Sequence, residues 1–128
     1  MQPDKKLKIL FAEDDEIFFE YEKCVLQKSL KLEKCKGFHN GKALLDEFKN
    51  DKDYDLIILD IEMPVMCGLD CLIEIRKIDI NIPVMALTAG LVNDRKKFLS
   101  LGFNEYITKP FAVTYLLDAI QKLIIDVK

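Results

Sequence analysis

The chain has 128 residues, of which 50% are hydrophobic and 32% charged, and a formal net charge of −3 at pH 7. Length and balance are those of one globular domain, expected to span residues 1–128 with its core at about 7–127, and they exclude a disordered chain. The mild acidity argues against a general nucleic-acid or membrane-surface binder, and no apolar run approaches the roughly 18 residues of a membrane span.

The lead-in MQPDKKLKI has basic residues but no signal-peptide core and no cleavage site, so a cytoplasmic protein is expected. LKILFA (7–12) then reads as a buried strand. Residues 15–30 read as a helix with two apolar stripes. Ile17, Phe18, Tyr21, Cys24 and Val25 fall within about 120° of one another, while Phe19, Leu26 and Leu30 form a lesser stripe on the other side. Only one stripe packs on the sheet, and Phe19 is taken as the aromatic left outside. LEKCKGF (32–38) is a weak strand, and Asn40-Gly41 ends the turn before a short helix, KALLDEFKN. DLIILD is the third strand, CLIEIRKI (71–78) lies in the third helix, and Pro83 opens a fourth strand, VMALTA. NDRKKFLSLG (93–102) reads as a polar helix closed by glycine, EYIT as a short fifth strand, and AVTYLLDAIQKLIIDV as the last helix.

Strand–helix alternation with near-continuous apolar strands predicts a doubly wound (βα)5 sandwich: a five-stranded parallel sheet with helices on both faces. Ligands bind such sheets beyond the carboxyl ends of the strands. There stand Glu13, Asp14 and Asp15 after the first strand, Asp60 at the end of the third, Thr88 and Ala89 at the end of the fourth, and Lys109 and Pro110 after the fifth. Glu13, Asp14 and Asp60 are expected to crowd one site. Two carboxylates about 4 Å apart repel by about 4 kcal/mol at an effective dielectric near 20, so a hard divalent cation is required. Acids, a metal, one ammonium and one hydroxyl suit a phosphoryl group on a carboxylate.

The motifs ILFAEDD, DLIILDIEMPVMCG, IPVMALTA and YITKPF, in that order along the whole chain, resemble the receiver domain of two-component response regulators. The resemblance implies a flavodoxin-like fold with strand order 2-1-3-4-5. It makes Asp60 the phosphoryl acceptor, with Mg²⁺ (Mn²⁺ as a substitute) held by Glu13, Asp14, Asp60 and the main-chain carbonyl of Glu62. Thr88, Ala89 and Lys109 would surround the phosphoryl group, Thr88 and Tyr106 would act as the switch, the Tyr106 ring moving from solvent toward Thr88, and Lys109–Pro110 is a candidate cis peptide. Glu13 replaces the commoner Asp, and Asp15 is not assigned to the metal. The implied partners are a sensor histidine kinase or histidine phosphotransfer protein, docking on residues among Phe18, Phe19, Tyr21, Pro110 and Phe111, and an unknown downstream protein. No nucleic-acid or membrane partner is expected, and the chain would be a monomer or a weak, phosphorylation-dependent dimer. Glu62 and Gly90 would rim the mouth through which hydrolytic water enters. Such a protein is a phosphoacceptor rather than an enzyme, with at most self-phosphorylation from small phosphodonors and slow loss of phosphate.

Other readings fit less well. A Mg²⁺-dependent phosphatase with an Asp nucleophile, hinted at by Asp60-x-Glu62, needs a cap for which the chain has no length. A flavin binder needs a Ser/Thr/Gly-rich first loop, whereas AEDDE repels phosphate. A pure docking module would not need the full residue set. Cys67 and Cys71, four apart, have no second cysteine pair, and His39 is the only histidine, so reduced thiols and a surface histidine are expected rather than zinc. Met1 and a polar lead-in favour a stand-alone regulator. NIPVMALTAG resembles receivers of hybrid kinases, the alternative source of such a domain.

Overall fold

In the computed structural model, which describes residues 6–89 and 94–127, strands and helices alternate throughout. They are β1 (Leu7–Ala12), α1 (Glu16–Ser29), β2 (Leu32–Phe38), α2 (Gly41–Asn50), β3 (Leu56–Asp60), α3 (Gly68–Ile78), β4 (Val84–Thr88), α4 (Arg95–Ser100), β5 (Glu105–Thr108) and α5 (Val113–Val127). All neighbouring strands pair in parallel in the order β2-β1-β3-β4-β5, the flavodoxin-like arrangement. The order reverses at β1 and β3, whose C-terminal ends form the crevice where this architecture binds ligands.

The alternation of side chains along a strand divides the inner strands between two cores. Leu10, Ala12, Ile57, Leu59, Val84, Ala86 and Tyr106 pack with Leu44 and Phe48 of α2 and Leu72 and Ile75 of α3. Ile9, Phe11, Ile58, Met85, Leu87 and Ile107 pack with Phe19, Val25 and Leu26 of α1 and Leu116 and Ile120 of α5. β2 is an edge strand, guarded by charge: Lys34 pairs with Asp51 at 2.6 Å and Lys36 with Glu47 at 3.1 Å.

Polar side chains set the helix starts. Asp15 Oδ1 accepts from Ile17 N at 3.0 Å and Phe18 N at 3.3 Å, and Asn40 Oδ1 accepts from Ala43 N at 2.8 Å. The polar helix expected over 93–102 is shorter, Arg95–Ser100, and Asn93 lies outside the described residues.

The phase of α1 differs from the sequence expectation. Its buried residues are Phe19, Glu22, Val25 and Leu26, while Ile17 is 83% and Tyr21 42% exposed. The lesser stripe, joined by Val25 from the edge of the larger one, therefore packs inward. The reason lies on β2: a Cβ at Gly37 would come within 2.5 Å of Phe11 Cζ and 2.7 Å of Phe19 Cζ. The missing side chain leaves a recess for both rings, whose centroids lie 5.0 Å apart. A count of apolar residues per helix face carries no information about that recess.

Candidate functional site

Glu13 follows β1 directly, and its N–H donates to Phe38 O at 3.0 Å, so the end of β2 fixes where the acid stands. Glu13 is fully buried, Asp14 is exposed, and Asp60, the last residue of β3, is 5% exposed. One carboxylate oxygen from each lies within 4.8 Å of the others, and they are the only such group of three or more His, Cys, Asp or Glu among the described residues. Asp15 turns its carboxylate away to cap α1. Its N–H donates to Glu13 Oε2 at 3.1 Å.

Lys109 brings the compensating charge. Its Nζ donates to Glu13 Oε1 at 2.6 Å and stands 3.6 Å from Asp60 Oδ1. Burial works against the Lys109 charge, but the hydrogen bond to Glu13 and the Asp60 charge outweigh it and raise the pKa. One ammonium does not neutralise three acids. Burial, followed by hydrogen bonding with Asp14 and the charge of Glu13, pushes the Asp60 carboxyl up to about 8 against the opposing pull of Lys109. The site fits a small hard cation on chemical grounds: its donors are all carboxylate oxygens, they converge, and they carry more negative charge than the protein offsets.

Thr88, the buried last residue of β4, lies across from Thr108, and its carbonyl accepts from Lys109 N at 2.7 Å, which ties the two phosphoryl-binding candidates together. Ala89 is exposed just beyond the strand, and the Lys109–Pro110 peptide is cis. Glu62 is exposed in the turn after Asp60. That turn is pinned where Gly68 N donates to Ile61 O at 2.8 Å, and a Cβ at Gly68 would lie 2.5 Å from Asp60 O, so only glycine allows α3 to start so close to the acid. Gly90 lies outside the described residues.

Tyr106 is 3% exposed, opposite Ala86 in the register and stacked on Phe98 at 5.0 Å and 12° between planes. The expectation that its ring starts in solvent is corrected: the small side chain of Ala86 leaves space, and Phe98 covers the ring.

The surface expected to dock a partner is partly redrawn. Phe19 is buried against Phe11, with its ring centroid 4.2 Å from that of His39 at a 31° tilt, so the expectation that it stands outside fails. Phe18, Tyr21 and Phe111 instead form a cluster of rings, with Pro110 exposed beside it. His39 remains at the surface, 3.8 Å from Glu16. The cysteines are free thiols, with Cys67 half-buried and Cys71 buried.

Sequence reasoning missed Glu22. It is 1% exposed, and neither carboxylate oxygen has a hydrogen-bond partner among the described residues. Burial, then the charge of Glu13, holds its pKa well above the ordinary carboxylate range; Lys109 opposes this and Asp60 adds to it. The available signal was its spacing three residues from Phe19 and from Val25, but a glutamate reads as solvent-facing by default.

A family model described as the response regulator receiver domain matches residues 9–121. The chain is 34% identical over 128 residues to hybrid signal transduction histidine kinase I of Dictyostelium discoideum, covering 89% of this chain and 7% of that protein. It is 37% identical over 119 residues to the transcriptional regulatory protein YkoG of Bacillus subtilis, covering 88% of this chain and 49% of that protein. The chain thus spans less than half the length of either relative. The solved structure of the response regulator TrrA from Thermotoga maritima, in complex with Mg²⁺-BeF, superposes with a TM-score of 0.81 at 34% identity, covering 93% of this chain and 99% of that one.

Proposed function

The chain belongs to the response regulator receiver domain family of two-component signalling systems, and on that premise we propose that it takes a phosphoryl group from phosphohistidine onto Asp60. The observation that carries this reading is the convergence of Glu13, Asp14, Asp60 and Lys109 beyond the ends of β1, β3 and β5. The donor is a histidine on a sensor kinase or a phosphotransfer protein. Its P–N bond breaks as a P–O bond forms to Asp60, and the imidazole leaves with the bonding pair and takes up a proton.

Glu13, Asp14, Asp60 and the Glu62 carbonyl would hold Mg²⁺, or Mn²⁺, which would offset the charge of the acids and of the transferring group. Lys109 supplies a second positive charge 3.6 Å from the attacking carboxylate. The Thr88 hydroxyl donates to a phosphoryl oxygen, and Ala89 leaves room beside it. Because Tyr106 already lies inward, phosphorylation acts on its packing against Phe98 rather than on its exposure. The surface of α4, β5 and α5 then repacks for a downstream protein. Water later cleaves the acyl phosphate and regenerates Asp60. The setting is cytoplasmic.

Incubation with acetyl phosphate and Mg²⁺ adds one phosphoryl group, and Asp60→Asn removes it. Label on another residue of the wild type overturns the assignment.

A further inference from the structure

We propose that Phe18 is a positioning residue for the Lys109 ammonium, holding it beside Asp60 through the face of its aromatic ring. This rests on the phosphoryl-acceptor reading above and adds a residue to it. The Lys109 Nζ lies 4.4 Å from the centroid of the Phe18 ring, within the range where the negative face of an aromatic ring attracts a cation. One flank of the ammonium is taken by Glu13 at 2.6 Å and Asp60 Oδ1 stands at 3.6 Å, so the ring adds an uncharged, water-excluding contact to two carboxylate contacts.

The ring is itself held. Phe111 meets it edge-on at 5.6 Å and 72°, and Tyr21 at 5.7 Å and 66°, while the Phe18 backbone N–H donates to Asp15 Oδ1 at 3.3 Å. Phe111 comes two residues after Lys109, so the rings clamp the start of α1 to the segment that carries the lysine. The consequence is chemical. A carboxylate can follow the ammonium or bind metal instead, and Glu13 is called on for both. The ring face does neither: it attracts the cation without competing for it. When Glu13 turns to a metal, Lys109 keeps a contact that leaves its N–H donors free for Asp60 and a phosphoryl oxygen.

The test separates ring electronics from packing. Mono-, di- and trifluorinated phenylalanine are placed at position 18 by nonsense suppression, with Phe18→Leu beside them. Fluorine withdraws density from the ring face with little change of size. Labelling of Asp60 by acetyl phosphate at saturating Mg²⁺ falls stepwise with each fluorine, reaching about fivefold for the trifluoro ring and for Phe18→Leu. The Lys109 ε-methylene protons, shifted upfield by the ring in the wild type, return to ordinary values in Phe18→Leu. Melting temperature stays level across the fluorinated series. A flat labelling rate across that series, with normal wild-type labelling, overturns the inference and leaves the acceptor reading intact. Wild type that takes no label at Asp60 overturns the acceptor reading and this inference with it. If Phe18→Leu fails to fold, the fluorinated series decides alone.

Discussion

On the α1 side of the site, Lys109 lies between Glu13 and the face of Phe18, and Glu22 is buried within the field of Glu13, Lys109 and Asp60 with no hydrogen-bond partner among the described residues. On the α4 side, Tyr106 is buried opposite Ala86 against the ring of Phe98, and Thr88 is buried at the end of β4. The first side holds charge in a dry place, where each change of charge is costly. The second holds rings and small side chains, whose rearrangement shifts dispersion contacts worth little apiece. Under the proposed function, this contrast assigns metal binding and the acceptor to the α1 side and the moving surface to the α4 side.

The largest effect breaks the apolar foundation of the α1 side. Phe19→Ala removes the ring seated over Gly37 and lowers stability by about 3–5 kcal/mol in urea titration. Had Phe19 been a docking residue, the variant would slow phosphotransfer and leave stability alone.

Glu22→Leu keeps the volume and removes the buried carboxyl, so it raises stability by about 2 kcal/mol at pH 8 in metal-free buffer. The pH dependence has a definite sign. The folded pKa of Glu22 is raised, and that of Asp60 is raised to about 8, so the folded state binds protons more tightly than the unfolded chain. Their contribution is therefore fully present below the ordinary carboxylate range and is lost as pH rises through the folded values. Denaturation midpoints at pH 5 and pH 8 check this: the wild type loses stability across the interval, and Glu22→Leu loses less. An equal loss in both removes Glu22 from the account.

Mg²⁺ at ten times its dissociation constant stabilises the wild type by about 1.4 kcal/mol, read as a rise in melting temperature. Removing an acid has to be done selectively, because Glu13 holds Lys109 and its loss takes away the shorter of the two carboxylate contacts of the ammonium. Asp14→Asn is the cleaner variant: it raises metal-free stability and abolishes the Mg²⁺ response. A metal-free protein no more stable than the wild type refutes the repulsion argument.

On the α4 side, Phe98→Ala costs about 1 kcal/mol, the scale of one aromatic pair beyond its buried area. It also opens the Tyr106 hydroxyl, whose pKa is raised first by burial and then by Asp94, and brings its titration back toward the ordinary range in NMR. A Tyr106 titration unchanged in the variant shows that Phe98 is not what encloses the ring. The smallest effect is at the rim: Glu62→Met lengthens the half-life of phospho-Asp60 by about threefold, because an exposed anion beside a phosphoryl group is disfavoured and holds water there. Decay of purified phosphoprotein measures this, and an unchanged half-life makes Glu62 a bystander.

Composition, strand–helix alternation and the chemistry placed at each strand end determined the layer order and the meeting of Glu13, Asp14, Asp60 and Lys109. Those features are local: an apolar run buried on both faces must enter the sheet, and the residue after it must emerge at the sheet's carboxyl edge. Only the tertiary structure decided which stripe of α1 faces inward, because that depends on the recess left by Gly37 on a strand distant in sequence. It also decided that Glu22 is buried, that Phe18 lies over Lys109, and that Tyr106 rests under Phe98. Each of these is a contact between elements, set by the shape of the partner surface, and residue type and helical period carry no record of that shape.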